Sequence, residues 1–454
     1  MKSKIIFLAI LFWLGYSFLV FRLYDLQVGK TNLVKAEQDS YVSIKNSRGI
    51  FFFTDRHNNS FPVALNRTGD FRNPRYCPLK NLASQLIGYV GYTKENKFPT
   101  GLYGLERYYN QQLEQGEDQY LTIDINIQNQ AESILEQLIK RTNAQAGTII
   151  VQNPNSGEIL ALASKPDFNP NQYNKANPSL FVNQAICKRY EPGSVIKPFT
   201  IAAGLDSGSF TPDYTLFDPG KVTIGSKTIT NWDNKSYGEI TIKDVLEHSI
   251  NTGAVLLERK IGHQTFYNYL KKFGFDQPTG IDFPFEQHGD LSNLKDNQPL
   301  NFACASFGQG ISVTPIELIN AFSSLINGGK LMRPYLNKKL GKKIIGNTIS
   351  PEVSEQIKLM LISTVEKAGV AVIDGYKIGG KTGTAQVPDL ENGGYSSEVI
   401  NTFVGFISGT SPEIVILVKL EKPEGAPLAG ITVVPAFKEL AQFIISYYHL
   451  FPAD

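Results

Sequence analysis

Tyr190–Thr200 reads YEPGSVIKPFT, and the serine and lysine three apart within it decide how the rest of the chain is read. Residues at that spacing lie on one face of a helical turn, so the hydroxyl of Ser194 and the amine of Lys197 can meet. Serine is a weak nucleophile until a neighbouring base takes its proton. Lysine serves as that base only when burial or a nearby cation lowers its pKa. Pro192-Gly193 places Ser194 in the first turn, where free backbone N–H groups and the positive dipole end suit an oxyanion. Pro198 has no N–H to return to the carbonyl of Ser194, which loosens the turn around the nucleophile. A second S-x-x-K, Ser292–Lys295, sits in the polar stretch LSNLKDNQ and is expected to be a solvated loop.

Outward from this stretch lie two further motifs. His248-Ser249-Ile250-Asn251 is an S-x-N, whose hydroxyl can relay a proton and whose amide can hold a substrate carbonyl and N–H. Read alone, it is a helix cap followed by Asn-Thr-Gly turn chemistry. Gly379–Ala385, GGKTGTA, precedes strand-like sequence and can line one side of a cleft. There Lys381 supplies positive charge, Thr382 and Thr384 supply hydroxyls for a substrate carboxylate, and Gly383 admits a close backbone. Gly375–Thr382 also satisfies the phosphate-loop pattern GxxxxGK[ST], but such a loop must open a helix, and GTAQVP is a poor helix start. A Ser-His-Asp hydrolase fits less well, because Cys304-Ala-Ser306-Phe-Gly308 lacks the first glycine of a nucleophile elbow.

Bulk properties narrow the field. Lys and Arg total 44 against 42 Asp and Glu, which leaves a net charge of +2 and no footprint for nucleic acid. Cys77, Cys187 and Cys304 lie far apart without a CxxC and read as small packed residues. The five histidines form no pair at ligand spacing, so neither a metal nor another cofactor is expected.

Ile5–Phe21 is an unbroken apolar run between Lys4 and Arg22. Helical, it spans about 25 Å, the short end of what crosses a bilayer. It lacks an A-x-A-like cleavage site and reads as an uncleaved anchor. Lys2, Lys4 and the terminal amine outweigh Arg22 beside Asp25, which leaves the start in the cytoplasm and the rest outside. Residues 25–46 suggest a helix leading into a strand, and 48–66 a hairpin around Asp-Arg-His-Asn-Asn-Ser. A short strand at Leu86–Gly91 and a helix-like segment at Gly101–Gly116 complete a small module over 25–119. From 120 to 454 the texture changes. An amphipathic helix at Gln128–Thr142 leads into strands GTIIVQNP and EILALAS, a mostly helical middle, strands at 401–409 and 413–421, and a last helix at Val434–Leu450. One antiparallel sheet built from both ends, with a helical insert, is the simplest α/β (α+β) arrangement.

S-x-x-K, S-x-N and K-T-G in this order resemble the motif set of penicillin-binding proteins. With RGIFFFTDR, GLYGLERYYNQQL, LTIDINIQ, GEILALASKPDFNPN, ITIKDVLEHSINTG, FGQGISVTPIEL and GGKTGTAQV, the chain resembles a class B, FtsI-like penicillin-binding protein over nearly its whole length. The resemblance implies a penicillin-binding/serine β-lactamase-like transpeptidase fold on a β-rich pedestal, here shortened between Arg48 and Leu86. It implies cross-linking of peptidoglycan stem peptides ending in D-Ala-D-Ala, through an acyl-enzyme on Ser194. Lys197 would be the base, Ser249 the proton relay and Asn251 the peptide holder. Lys381, Thr382 and Thr384 would hold the carboxylate, and the N–H groups of Ser194 and Thr384 would form the oxyanion hole. β-Lactams would acylate the same serine, and a membrane glycosyltransferase of the FtsW/RodA type would be a partner. A D-Ala-D-Ala carboxypeptidase shares all of these residues, because acceptor choice depends on cleft shape. A β-lactam sensor would need a cytoplasmic signalling domain, and four residues before the anchor do not supply one.

Overall fold

The computed structural model describes residues 13–22, 48–67, 75–93, 99–389 and 393–452. Residues 13–22 form an exposed helix, and among the described residues no helix is long and apolar enough to cross a membrane. The start of the apolar run and the helix expected over 25–46 lie outside the described residues.

β1 (Phe51–Thr54) and β2 (Ser60–Asn66) form the expected antiparallel hairpin. Its turn closes on Asp55, whose Oδ1 accepts from the N–H groups of His57 and Asn59, both at 2.9 Å. β3 (Gln119–Asp124) pairs parallel to β1, and Arg75–Tyr76 pairs with β2 on the other side. The fully buried Glu106 ties this module together, accepting from Arg48 at 2.7 Å and Arg75 at 2.5 Å. A carboxylate so deep persists only when paired. Two expectations need adjusting here. Ser84–Ile87 is a helical turn that ends at Gly88 (φ +79°), so only Tyr89–Gly91 is strand. Thr100–Tyr103 pairs with that strand, and the helical segment begins only at Gly104.

α1 (Ile125–Thr142) starts on Asp124, whose Oδ1 accepts from Asn126 and Ile127 N–H at 2.9 and 3.1 Å. It ends at Asn143, in the left-handed conformation. β4 (Ala146–Gln152) and β5 (Ile159–Lys165) follow, and after the insert come β6 (Lys377–Pro388), β7 (Tyr395–Ser408) and β8 (Ile414–Glu421). The order β6-β7-β8-β4-β5 is antiparallel throughout, so strands distant in sequence share one sheet.

Alternation of side chains divides the core. Ile149, Val151, Ile416 and Val418 pack with α1 and with Phe437 and Leu440 of α6 (Val433–Tyr448). Ile150, Val404, Phe406, Val415 and Leu417 face the insert instead. Covered on both faces, β4 and β8 carry consecutive apolar residues, Ile149–Val151 and Ile414–Val418. α2 (Lys197–Asp206) is the central helix of the insert, with Phe199, Ile201 and Ala202 fully buried. α3 (Asn251–Ile261) and α5 (Pro351–Ala368) pack on α2, and α4 (Pro315–Ile326) packs between α5 and the sheet. Unanticipated in the helical middle are two small hairpins. Thr215–Asp218 pairs with Gly238–Thr241, and Lys221–Ile224 pairs with Lys227–Thr230 around Gly225.

Candidate active site

The nucleophile stretch is a tight turn grafted onto a helix. Gly193–Ile196 is a 3₁₀ turn and α2 begins at Lys197, so Ser194 and Lys197 stack along one edge. A neighbouring segment fixes the turn from outside. Tyr190 and Val313 exchange backbone hydrogen bonds at 2.9 Å, and Gly193 N–H donates to Gly308 O at 3.0 Å. Gly193 has φ +59°, and a Cβ on Gly308 would lie 2.1 Å from Gly193 O, so both positions require glycine. Glu191 Oε1 accepts from Gly310 N–H at 3.0 Å, and Glu191 Oε2 from the Tyr395 hydroxyl at 3.0 Å.

Lys197 is completely buried. Its Nζ donates to Asn251 Oδ1 at 2.8 Å and to the backbone carbonyl of Ser249, and lies 3.2 Å from Ser249 Oγ. From the opposite wall, Lys381 Nζ lies 3.0 Å from Ser249 Oγ and 3.2 Å from Thr382 O. Ser249 therefore sits between two amines. It adopts φ +55°, a conformation rare for serine, imposed where the chain leaves Ile242–Glu247 and enters α3 at Asn251. Burial drives the pKa of Lys197 well below its ordinary value, and the charge of Lys381 pushes it the same way. Burial alone brings Lys381 to about 7. The downward shift favours the neutral amine, the form of Lys197 that can take a proton.

Lys381, Thr382, Gly383 and Thr384 lie within β6, paired residue by residue with β7 from Lys381↔Val404 to Thr384↔Asn401. No helix follows Gly380-Lys381-Thr382, so the phosphate-loop alternative fails on geometry. Thr384 is exposed, and its Oγ1 accepts from Ala429 N–H at 3.2 Å. Gly383 is crowded where a side chain would stand. A Cβ there would lie 2.7 Å from Pro192 O and 3.0 Å from Val195 Cγ2, so its bareness admits the enzyme's own nucleophile turn. The two pieces expected to form an oxyanion hole thus touch directly. Of the rejected alternatives, Ser306 is buried and donates to Ala303 O at 2.6 Å, while Ser292 and Lys295 are exposed. Asp244, Glu247 and His248 place possible metal-ligand atoms together. Both carboxylates are already engaged, Asp244 in a capping box with Thr241 and Glu247 with Lys243 and Ser363.

Several supporting residues had no sequence signal. Thr252, the second residue of α3, donates its hydroxyl to buried Asp218 and its N–H to Asn231 Oδ1 at 3.1 Å. Asn231 Nδ2 in turn donates to Asp218 Oδ2 at 3.0 Å. This buried triad holds the S-x-N segment, and Asn251 Nδ2 donates outward to Thr230 O at 3.1 Å.

The chain is similar to known proteins over most of its length. The family model "Penicillin binding protein transpeptidase domain" matches residues 147–442. The chain belongs to this penicillin-binding protein transpeptidase family, and its relatives are those of the class B branch. It is 32% identical to stage V sporulation protein D of Bacillus subtilis over 79% of this chain, spanning 62% of that protein's length. It is 31% identical to the probable peptidoglycan D,D-transpeptidase PenA of Neisseria flavescens over 72% of this chain and 81% of that one. Among solved structures, penicillin-binding protein 3 of Mycobacterium tuberculosis superposes with TM-score 0.79 at 25% identity, over 90% of this chain and 98% of that one. The same protein complexed with aztreonam gives TM-score 0.78.

Proposed function

We propose that this chain is a peptidoglycan D,D-transpeptidase working through an acyl-enzyme on Ser194. The observation that carries this is the hydrogen-bonded chain Lys381–Ser249–Lys197–Asn251 beside the Ser194 turn, with buried lysines at both walls. In the first half-reaction Lys197 takes the Ser194 proton and Oγ attacks the penultimate D-Ala carbonyl. The N–H groups of Ser194 and Thr384 stabilise the oxyanion. Lys381, Thr382 and Thr384 hold the terminal carboxylate, and Asn251 holds the peptide. As the tetrahedral intermediate collapses, Ser249 delivers a proton to the departing amine of D-Ala. In the second half-reaction the amine of another stem peptide attacks the ester, which restores Ser194 and forms the cross-link.

The further elements of this reading are an anchor at 1–24 with the rest outside the cytoplasm, a shortened pedestal at 25–119, and a transpeptidase domain at 120–454. A membrane glycosyltransferase is the proposed partner. The apolar run of Ile5–Phe21 between charged residues supports the anchor.

Fluorescent penicillin should label the wild-type chain and fail to label Ser194→Ala. Labelling that survives the substitution rules out this nucleophile. A stem-peptide donor offered with an amine acceptor then separates cross-linking from carboxypeptidase trimming, by the mass of the product.

A further inference from the structure

The outer rim of the S-x-N wall carries an aromatic ring that the mechanism above leaves without a role. Trp232 is 61% exposed, yet it is held firmly in place. Its indole N–H donates to the carbonyl of His248 at 3.2 Å, one peptide unit from Ser249. Its chain neighbour Asn231 is clamped in the buried triad with Asp218 and Thr252, and Thr230 O accepts from the Asn251 amide. A large apolar ring fixed in solvent buries nothing of its own, so its free face is available to a ligand.

Its position selects the ligand. Lys381 reaches Ser249 Oγ from β6, where the donor carboxylate is expected, and Trp232 is tied to the S-x-N segment itself, at His248 O, one peptide unit from the same serine. By microscopic reversibility the attacking amine enters where the leaving amine departs, next to Ser249. We infer that Trp232 binds the acceptor strand, with the methylenes of a lysine-like side chain lying across the indole face and its terminal amine reaching Ser249. Indole faces attract both aliphatic stems and the ammonium they carry. The ammonium first gives one proton to solvent, and the neutral nitrogen then attacks the acyl carbonyl, forming a C–N bond. The C–Oγ bond to Ser194 then breaks, and the second proton lost by nitrogen returns to Ser194 Oγ through Ser249. This rests on the transpeptidase reading above and adds the acceptor's binding site to it.

The test is how the acyl-enzyme partitions. The full chain, Trp232→Ala and Trp232→Phe are each acylated with a thioester donor in the presence of Nα-acetyl-lysine amide. Amide and hydrolysed acid are then counted by mass spectrometry. The amide-to-acid ratio should fall about tenfold in Trp232→Ala and stay within about threefold of wild type in Trp232→Phe. An unchanged ratio in Trp232→Ala overturns the inference. So does an equal fall in both variants, because that assigns the effect to the hydrogen bond to His248 and not to the ring. Wild-type acyl-enzyme that forms no amide with this amine also overturns it while leaving the Ser194 reading intact. Wild-type chain that never acylates defeats both.

Discussion

Two regions of the molecule bury lysine in opposite ways. In the cleft, Lys197 and Lys381 bond to hydroxyl, amide and carbonyl oxygens, and among the described residues neither has a carboxylate within ion-pair distance. On β8, two strands from Lys381, Lys419 is equally buried but paired with Glu421. It also lies 4.6 Å from the centre of the Tyr190 ring. Burial pulls the pKa of Lys419 down, and the Glu421 carboxylate opposes that pull. The carboxylate decides the difference. Lys419 keeps a counter-charge that opposes the fall in its pKa, and Lys197 has none, which is the environment the proposed base needs. The cleft therefore gives up stability to gain reactivity.

Three experiments bear on this contrast. The largest effect belongs to Lys197→Met, which should slow acylation by a β-lactam about 10³-fold. Its Tm should match or exceed wild type, because a flexible apolar chain replaces a buried amine with no counter-ion. A drop in Tm would make Lys197 a strut after all. Next comes Lys419→Met, which leaves the buried Glu421 with only the half-exposed Lys188, at 2.7 Å, and should cost about 2 kcal/mol in chemical unfolding. Adding Glu421→Gln should recover most of that loss, whereas equal losses in the single and double variants would mean the pair is not coupled. Smallest is the pH effect. Lys197 must be neutral to act, so acylation rises with pH through its depressed pKa. Lys381 must be charged to hold a carboxylate, so affinity falls as pH rises through about 7, at most tenfold per unit. A donor affinity that stays unchanged as pH rises through about 7 would break the Lys381 assignment.

Much of this was readable in the chain because the chemistry is local. Ser194 and Lys197 lie within one turn, Ser249 and Asn251 flank one helix start, and Lys381 to Thr384 lie on one strand. Alternation and helical spacing likewise announced β4, β5, β7, β8 and α1. What stayed hidden depends on contacts between distant segments. No spacing rule links Asp218 to Thr252, or Gly308 to Gly193. The left-handed backbone of Ser249 carries no glycine to advertise it. Gly383 was legible as a close approach, but not the approach of Pro192 from the nucleophile stretch. The hairpins between 215 and 241 are four-residue strands, shorter than a pattern can establish against the surrounding loops.

The pairing of β4 with β8 governs when the enzyme can exist. Residues 146–152 pair at once with β5 but wait for 415–421, so the first strand of the sheet emerges during translation long before its second neighbour has been made. Loop closure over such a separation is slow and cannot begin early. A ribosome stalled before β8 would hold a chain that carries every side chain of the proposed site and still lacks the strand joining β6 and β7 to β4. Nascent chains released just before and just after that strand should differ sharply in protease resistance, with penicillin reactivity appearing only in the longer.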